Sequence, residues 1–123
     1  MSQKMKPVEA LKYYLNLDSE EGKLQIAEDN AKEIFDEAFA QMKKPGATDD
    51  MLEGYLDRKE NFEKAKREHQ QAFEKLKSAK RSLIAFLVDF ENMPLKFVVP
   101  DSSGYNSHVY TLTYKGGEEL EIQ

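Results

Sequence analysis

The chain has 123 residues and no cysteine. It therefore has no disulfide bond, zinc knuckle, zinc ribbon, iron–sulfur cluster or thiol chemistry. Long apolar runs are also missing: residues 83–88 form the longest one, whereas a membrane span needs about 20 apolar residues. The first residues show no apolar stretch of the kind that signal peptides carry. We therefore expect a soluble, cytoplasmic protein that does not engage a membrane.

The composition is that of a polar but folded chain. Charged residues make up 33% and hydrophobic residues 40% of the sequence, and the formal net charge is -5. The seven phenylalanines and six tyrosines are too many for a disordered acidic tail. Because the length suits one domain, we expect residues 1–123 to fold as a single domain.

Start and stop signals predict three helices. Pro7 suits a first helical position, Asp18 begins a capping-box spacing, and Thr48 precedes two acidic residues. Pro45 ends the second helix and Pro94 bounds the third. The predicted helices are a short N-terminal helix 7–16, a helix 18–44 and a long helix 48–92.

The long helix carries a heptad pattern. Large or apolar residues recur every seven positions, and alanines occupy the alternate seam positions. Since a short turn joins the second and third helices, they should form an antiparallel, coiled-coil-like hairpin. In this hairpin we expect one set of residues to face another: Leu24, Ala31, Ile34, Phe35 and Ala38 opposite Phe62, Ala65, His69, Ala72 and Leu76.

The C-terminal part alternates in the manner of strands. Residues 108–114 are rich in β-branched and aromatic side chains, and Gly116 with Gly117 marks a tight turn before a second alternating segment. We predict a small antiparallel β-meander within residues 95–123. The expected fold class is mainly α with a small C-terminal antiparallel β-meander (α+β), built on the long helical hairpin and the short N-terminal helix.

No group of residues predicts catalysis, a cofactor or a metal. His69 has no glutamate or histidine three or four positions away, as a helical metal site needs. Ser102, Ser103 and Ser107 precede His108, but no nucleophile elbow surrounds them. The acidic residues after Thr48 lack the spacing of a calcium loop. We expect a protein that is not an enzyme, with no catalytic, cofactor-binding or metal-binding residues.

Charge is divided between the two long predicted helices. Residues 18–37 hold eight acidic and two basic residues, whereas residues 58–81 hold nine basic and four acidic ones. One interpretation is that these charges flank the hairpin and select its orientation. The alternative is a nucleic-acid-binding stripe on the long helix, about 33 Å long, whose cations would neutralise phosphates. Its members are Lys59, Lys66, Lys77, Arg81 and Phe73.

The end of the long helix is apolar around most of its circumference, and the short elements nearby offer little to cover it. We therefore predict that the protein binds a second copy of itself, or a partner protein, through this end. The residues of this predicted self-association surface are Leu83, Ile84, Phe86, Leu87, Val88 and Phe90. The favoured function is a small non-enzymatic interaction or assembly protein, and the alternative is a nucleic-acid-binding accessory protein.

Overall fold

The computed structural model describes residues 5–101 and 103–123. Two long helices, α1 (Pro7–Met42) and α2 (Asp49–Ala85), pack together. A short 3₁₀ turn, Val88–Phe90, leads to the strands β1 (Leu95–Pro100), β2 (Ser107–Gly116) and β3 (Glu119–Ile122). The predicted combination of a helical hairpin with a small C-terminal sheet is confirmed.

The predicted separate N-terminal helix 7–16 is wrong, because α1 continues without a break through Asp18. Lys6 N–H donates to the Glu9 carboxylate at 3.4 Å, so the helix starts at Pro7 as expected. The proposed cap at Asp18 lies inside the helix. Aspartate and serine cost only about 0.7 kcal/mol or less at an internal position, and tertiary packing readily exceeds that cost.

Helix α2 begins as predicted and ends early. The Thr48 side-chain oxygen accepts a hydrogen bond from Met51 N–H at 3.2 Å, as an N-cap does. The helix stops at Ala85 and not at residue 92. After Ala85 the helical turn becomes tighter, because Phe86 N–H and Leu87 N–H donate to carbonyls three residues earlier in the chain. Further on, Asn92 adopts a positive φ of 64°. These bends turn the chain into β1.

The sheet is antiparallel throughout, with strand order β1-β2-β3. Val98 pairs with Val109 between the first two strands, and Tyr114 pairs with Leu120 between the last two. Gly116 and Gly117 both have positive φ, 100° and 59°, which glycine adopts without a steric penalty. The predicted tight turn is therefore confirmed.

The chain divides into two compact units. The first, here the sheet unit, contains the residues up to Leu17 together with Lys75–Gln123, and the second, here the hairpin unit, is Asp18–Glu74. The sheet unit has a continuous core, which includes Leu11, Leu83, Leu87 and Leu112, each at most 2% exposed. In the hairpin unit, by contrast, no residue between 18 and 74 is fully buried.

Among the helices of the described residues, none has a stretch apolar and long enough to cross a bilayer.

Candidate functional site

The aromatic side chains of the hairpin unit cluster near the turn between the helices. The Phe35 ring lies 5.4 Å from Tyr55 and 5.5 Å from Phe62, centroid to centroid, and Phe39 lies 6.0 Å from Tyr55. The Lys43 ammonium sits 4.5 Å from the centre of the Phe39 ring. Phe35 and Phe62 come from the two sets of residues that were expected to face each other, and their rings are in contact. These rings hold the two helices together at this end.

His69 joins the two helices further along the seam. Its Nε2–H donates to Glu21 Oε1 at 2.6 Å, and its Nδ1–H donates to Glu28 Oε2 at 2.7 Å. The three side chains are 17% to 21% exposed. Because ionised carboxylates only accept hydrogen bonds, both contacts are hydrogen bonds when the ring is protonated on both nitrogens, as a positively charged imidazolium. The hydrogen bond to Glu21, followed by the one to Glu28, raises the pKa of His69 above its usual value.

This cluster is an ion-pair bridge and not a metal site. The two carboxylates lie at opposite nitrogens of one ring, so they do not converge on a common ion. Within residues 5–101 and 103–123, no group of three histidine, cysteine, aspartate or glutamate side chains has an arrangement that holds a metal. What the cluster does chemically is bind a proton and, through it, connect α1 to α2.

The raised pKa of His69 makes the stability of the hairpin depend on pH. A group whose pKa is higher in the folded state contributes its full stabilisation below the unfolded-state pKa, about 6.5 for histidine, and loses it as the pH rises through the folded-state value. We therefore expect the free energy of unfolding to fall more in the wild type than in His69→Gln as the pH rises above about 6.5. Urea titrations of both proteins across this range measure the difference, and parallel pH profiles would contradict the assignment.

Sequence reasoning missed the partners of His69. Helical spacing relates His69 only to residues three and four positions away on α2, whereas Glu21 and Glu28 lie on α1. The available signal is their spacing: two glutamates seven residues apart fall on the same side of α1.

The second histidine forms no catalytic arrangement with the described serines. The His108 ring packs against Tyr110 with 4.4 Å between centroids. Ser103 donates its hydroxyl and its backbone N–H to Asp101, and Ser102 lies outside the described residues.

The structure divides the predicted self-association surface. Leu83, Ile84 and Leu87 belong to the core of the sheet unit, with exposures of 0%, 9% and 2%. Their assignment to a surface for a second copy is corrected, because their own chain already covers them. The other three side chains remain accessible, with 37% exposure at Phe86, 54% at Val88 and 43% at Phe90.

The predicted nucleic-acid stripe falls in both units, and its members differ in their surroundings. In the hairpin unit, Lys59 and Lys66 are exposed, as is Phe73 at 43%. In the sheet unit, Lys77 is half-buried, and Arg81 forms an ion pair with Glu118 at 3.1 Å. Both side chains of this ion pair are exposed, at 63% and 64%, so the pair is weak.

The seam of the hairpin unit contains fewer residues than predicted, because one of the predicted residues is exposed. Ile34 was expected to face α2, but it is 51% exposed and lines a groove of about 550 Å³ near the turn. Met42, Met51, Gly54 and Arg58 also line this groove. The other predicted seam residues of the hairpin unit are half-buried: Leu24, Ala31, Phe35, Ala38, Phe62, Ala65, His69 and Ala72.

Large apolar side chains are exposed around the same end of the hairpin unit. Five of them lie between residues 34 and 56 and are 36% to 51% exposed. We name them the turn-end patch: Ile34, Phe39, Met51, Leu52 and Leu56.

The flanking charges do not pair across the hairpin unit as the first interpretation expected. Within residues 18–74, all of which the structure describes, the ion pairs joining the two helices are those of His69. The lysines and arginines of this unit thus leave the acidic residues of α1 unneutralised by direct contact. The charges of these acidic and basic side chains are available to a binding partner.

Comparisons with protein-family models, curated proteins and solved structures find no match to this chain.

Proposed function

We propose that this protein is a small, non-enzymatic interaction or assembly protein that self-associates through its helical hairpin. The turn-end patch carries the proposal. Its five side chains are large and apolar, and each is at least 36% exposed. Exposed large apolar side chains are a feature of protein–protein interaction surfaces; here Ile34 and Met51 line the groove near the turn, and Leu52 and Leu56 lie on another side of α2. The coiled-coil-like heptad spacing of the hairpin is consistent with association through helix faces.

The charge distribution along α2 favours a second copy as the partner. Residues 49–63 hold six acidic and two basic residues, whereas residues 64–81 hold two acidic and seven basic ones. A helix with an acidic first half and a basic second half is complementary to itself when two copies run antiparallel. Two-fold symmetry is the commonest arrangement of such self-complementary surfaces.

Sedimentation equilibrium at micromolar concentration tests the proposal. We expect a mass near twice the 14.2 kDa of one chain, falling towards one chain on dilution. Leu56→Glu should shift the equilibrium to the monomer, because it places a charge among the apolar side chains of the turn-end patch. Gln71→Glu is the control: it adds the same charge at an exposed position outside the patch and should leave the mass unchanged.

A mass of 14.2 kDa that stays constant on concentrating the sample would overturn the proposal. The ultraviolet absorbance ratio of the purified protein tests the alternative function. Co-purifying nucleic acid that is lost in a Lys59→Glu, Lys66→Glu double variant would support nucleic-acid binding in place of self-association.

A further inference from the structure

We propose that the second copy binds along one stripe of α2 and runs antiparallel to it. This inference rests on the proposed self-association and specifies its geometry. The stripe, here the outer stripe, consists of exposed residues whose spacing alternates between four and three. Its members are Leu52, Leu56, Lys59, Glu63, Lys66, Gln70 and Phe73.

The outer stripe forms one continuous face. At 100° per residue its seven members fall within about 100° of the helix circumference. The face adjoins the seam that α2 presents to α1: Phe73 projects about 20° from the direction of Phe62, whereas Leu52 and Leu56 lie further from the seam. Residues at alternating spacings of four and three lie on one side of a helix and can meet a second helix, and three of the seven here are apolar.

Six of the seven residues of the outer stripe, all except Leu52, face one another when the stripe is set against its own reverse. If the two-fold axis passes midway between Glu63 and Lys66, then Glu63 lies opposite Lys66 of the partner subunit. In the same alignment Leu56 lies opposite Phe73 of the partner subunit, and Lys59 lies opposite Gln70 of the partner subunit. The interface thus contains one kind of apolar pair and one kind of oppositely charged pair. Each of them is present twice because of the two-fold symmetry.

The side chains that would pair are accessible. Leu56 is 49% exposed and Phe73 is 43% exposed. Glu63 and Lys66 are both exposed, and the ion pairs found among the described residues involve neither of them. A second copy would therefore cover two large apolar side chains and give both charges an opposite partner.

A parallel arrangement in the same alignment is disfavoured by charge. It would place Glu63 opposite Glu63 of the partner subunit and Lys66 opposite Lys66 of the partner subunit. Like charges at facing positions repel, which is how helix pairs select their orientation.

Charge reversal tests the predicted ion pair. Glu63→Lys and Lys66→Glu, made singly, should each raise the dissociation constant of the dimer by about tenfold, since each replaces two attractions by two repulsions. The double variant carrying both changes should recover wild-type affinity. The matched control is the pair Glu60→Lys and Lys64→Glu, exposed residues of α2 outside the outer stripe, which should have little effect singly.

Cross-linking tests the orientation, and the absence of native cysteine makes it direct. Leu56→Cys and Phe73→Cys proteins should form a disulfide-linked dimer when mixed under mild oxidation. A chain with Leu56→Cys should not cross-link to a second chain with the same change, and the same holds for Phe73→Cys. In the antiparallel alignment residue 56 of one copy lies opposite residue 73 of the other, and these positions are about 25 Å apart along α2.

The outcomes separate the two proposals. A wild-type monomer would overturn self-association and this geometry together. A wild-type dimer that Glu63→Lys does not weaken, or in which Leu56→Cys cross-links only to itself, would overturn the antiparallel outer stripe and leave self-association standing.

Discussion

Replacing Leu83 with alanine should lower the free energy of unfolding by about 3 to 5 kcal/mol. Leu83 is 0% exposed and belongs to the core of the sheet unit with Leu11, Leu87 and Leu112. The substitution removes buried apolar surface and leaves a cavity that close-packed neighbours fill only in part. Urea denaturation followed by circular dichroism at 222 nm measures the change.

Ile26→Ala provides the control for Leu83→Ala. It removes the same number of carbon atoms from a helix, but Ile26 is 63% exposed, so we expect a change of about 0.5 kcal/mol or less. Equal losses for the two variants would contradict the assignment of the core to the sheet unit. If the Leu83→Ala variant becomes monomeric without a loss of stability, Leu83 instead belongs to a self-association surface.

Phe62→Ala should destabilise the protein by about 2 kcal/mol, less than the 3 to 5 kcal/mol typical of a fully buried phenylalanine. The Phe62 ring stacks on Phe35 at a centroid distance of 5.5 Å, but the residue is only half-buried. The loss combines reduced apolar contact with the loss of an aromatic pair. Chemical denaturation with tyrosine fluorescence follows it, because Tyr55 lies in the same cluster.

Phe62→Leu separates the two contributions to the Phe62 effect. Leucine keeps most of the apolar volume and removes the ring, so the expected loss is about 1 kcal/mol. If Phe62→Leu is as destabilising as Phe62→Ala, ring stacking dominates. If neither variant changes stability, the aromatic cluster does not hold the hairpin together.

Local signals in the sequence predict much of the fold. The N-cap at Thr48, the turn at Gly116 and the alternation of residues 108–114 each depend on neighbouring residues alone. These features are found where they were predicted. The contact of Phe35 with Phe62 was predictable because helical periodicity and a short turn together fix which faces meet.

Features that depend on distant parts of the chain were not predictable in the same way. Asp18 has the local pattern of a cap, yet α1 passes through it, because a cap signal is weak beside tertiary packing. Helix α2 ends at Ala85, and beyond this end Asn92 N–H donates to the carbonyl of Tyr114, a residue of β2 that is distant in sequence. In the candidate site, His69 was placed in the seam correctly, but its partners come from residues more than forty positions away.

The bridge made by His69 also determines how the two helices are aligned along their length. Much of the seam is alanine, at positions such as Ala31, Ala38, Ala65 and Ala72, and small side chains of equal shape resist sliding of one helix past the other only weakly. The imidazolium is different, because it must reach Glu21 and Glu28, whose backbones are about 10.5 Å apart along α1, at the same time. Sliding by a single residue, about 1.5 Å, would stretch one of these hydrogen bonds beyond its normal length. One charged ring thus fixes the alignment in the alanine-rich part of the seam, as the aromatic cluster does near the turn.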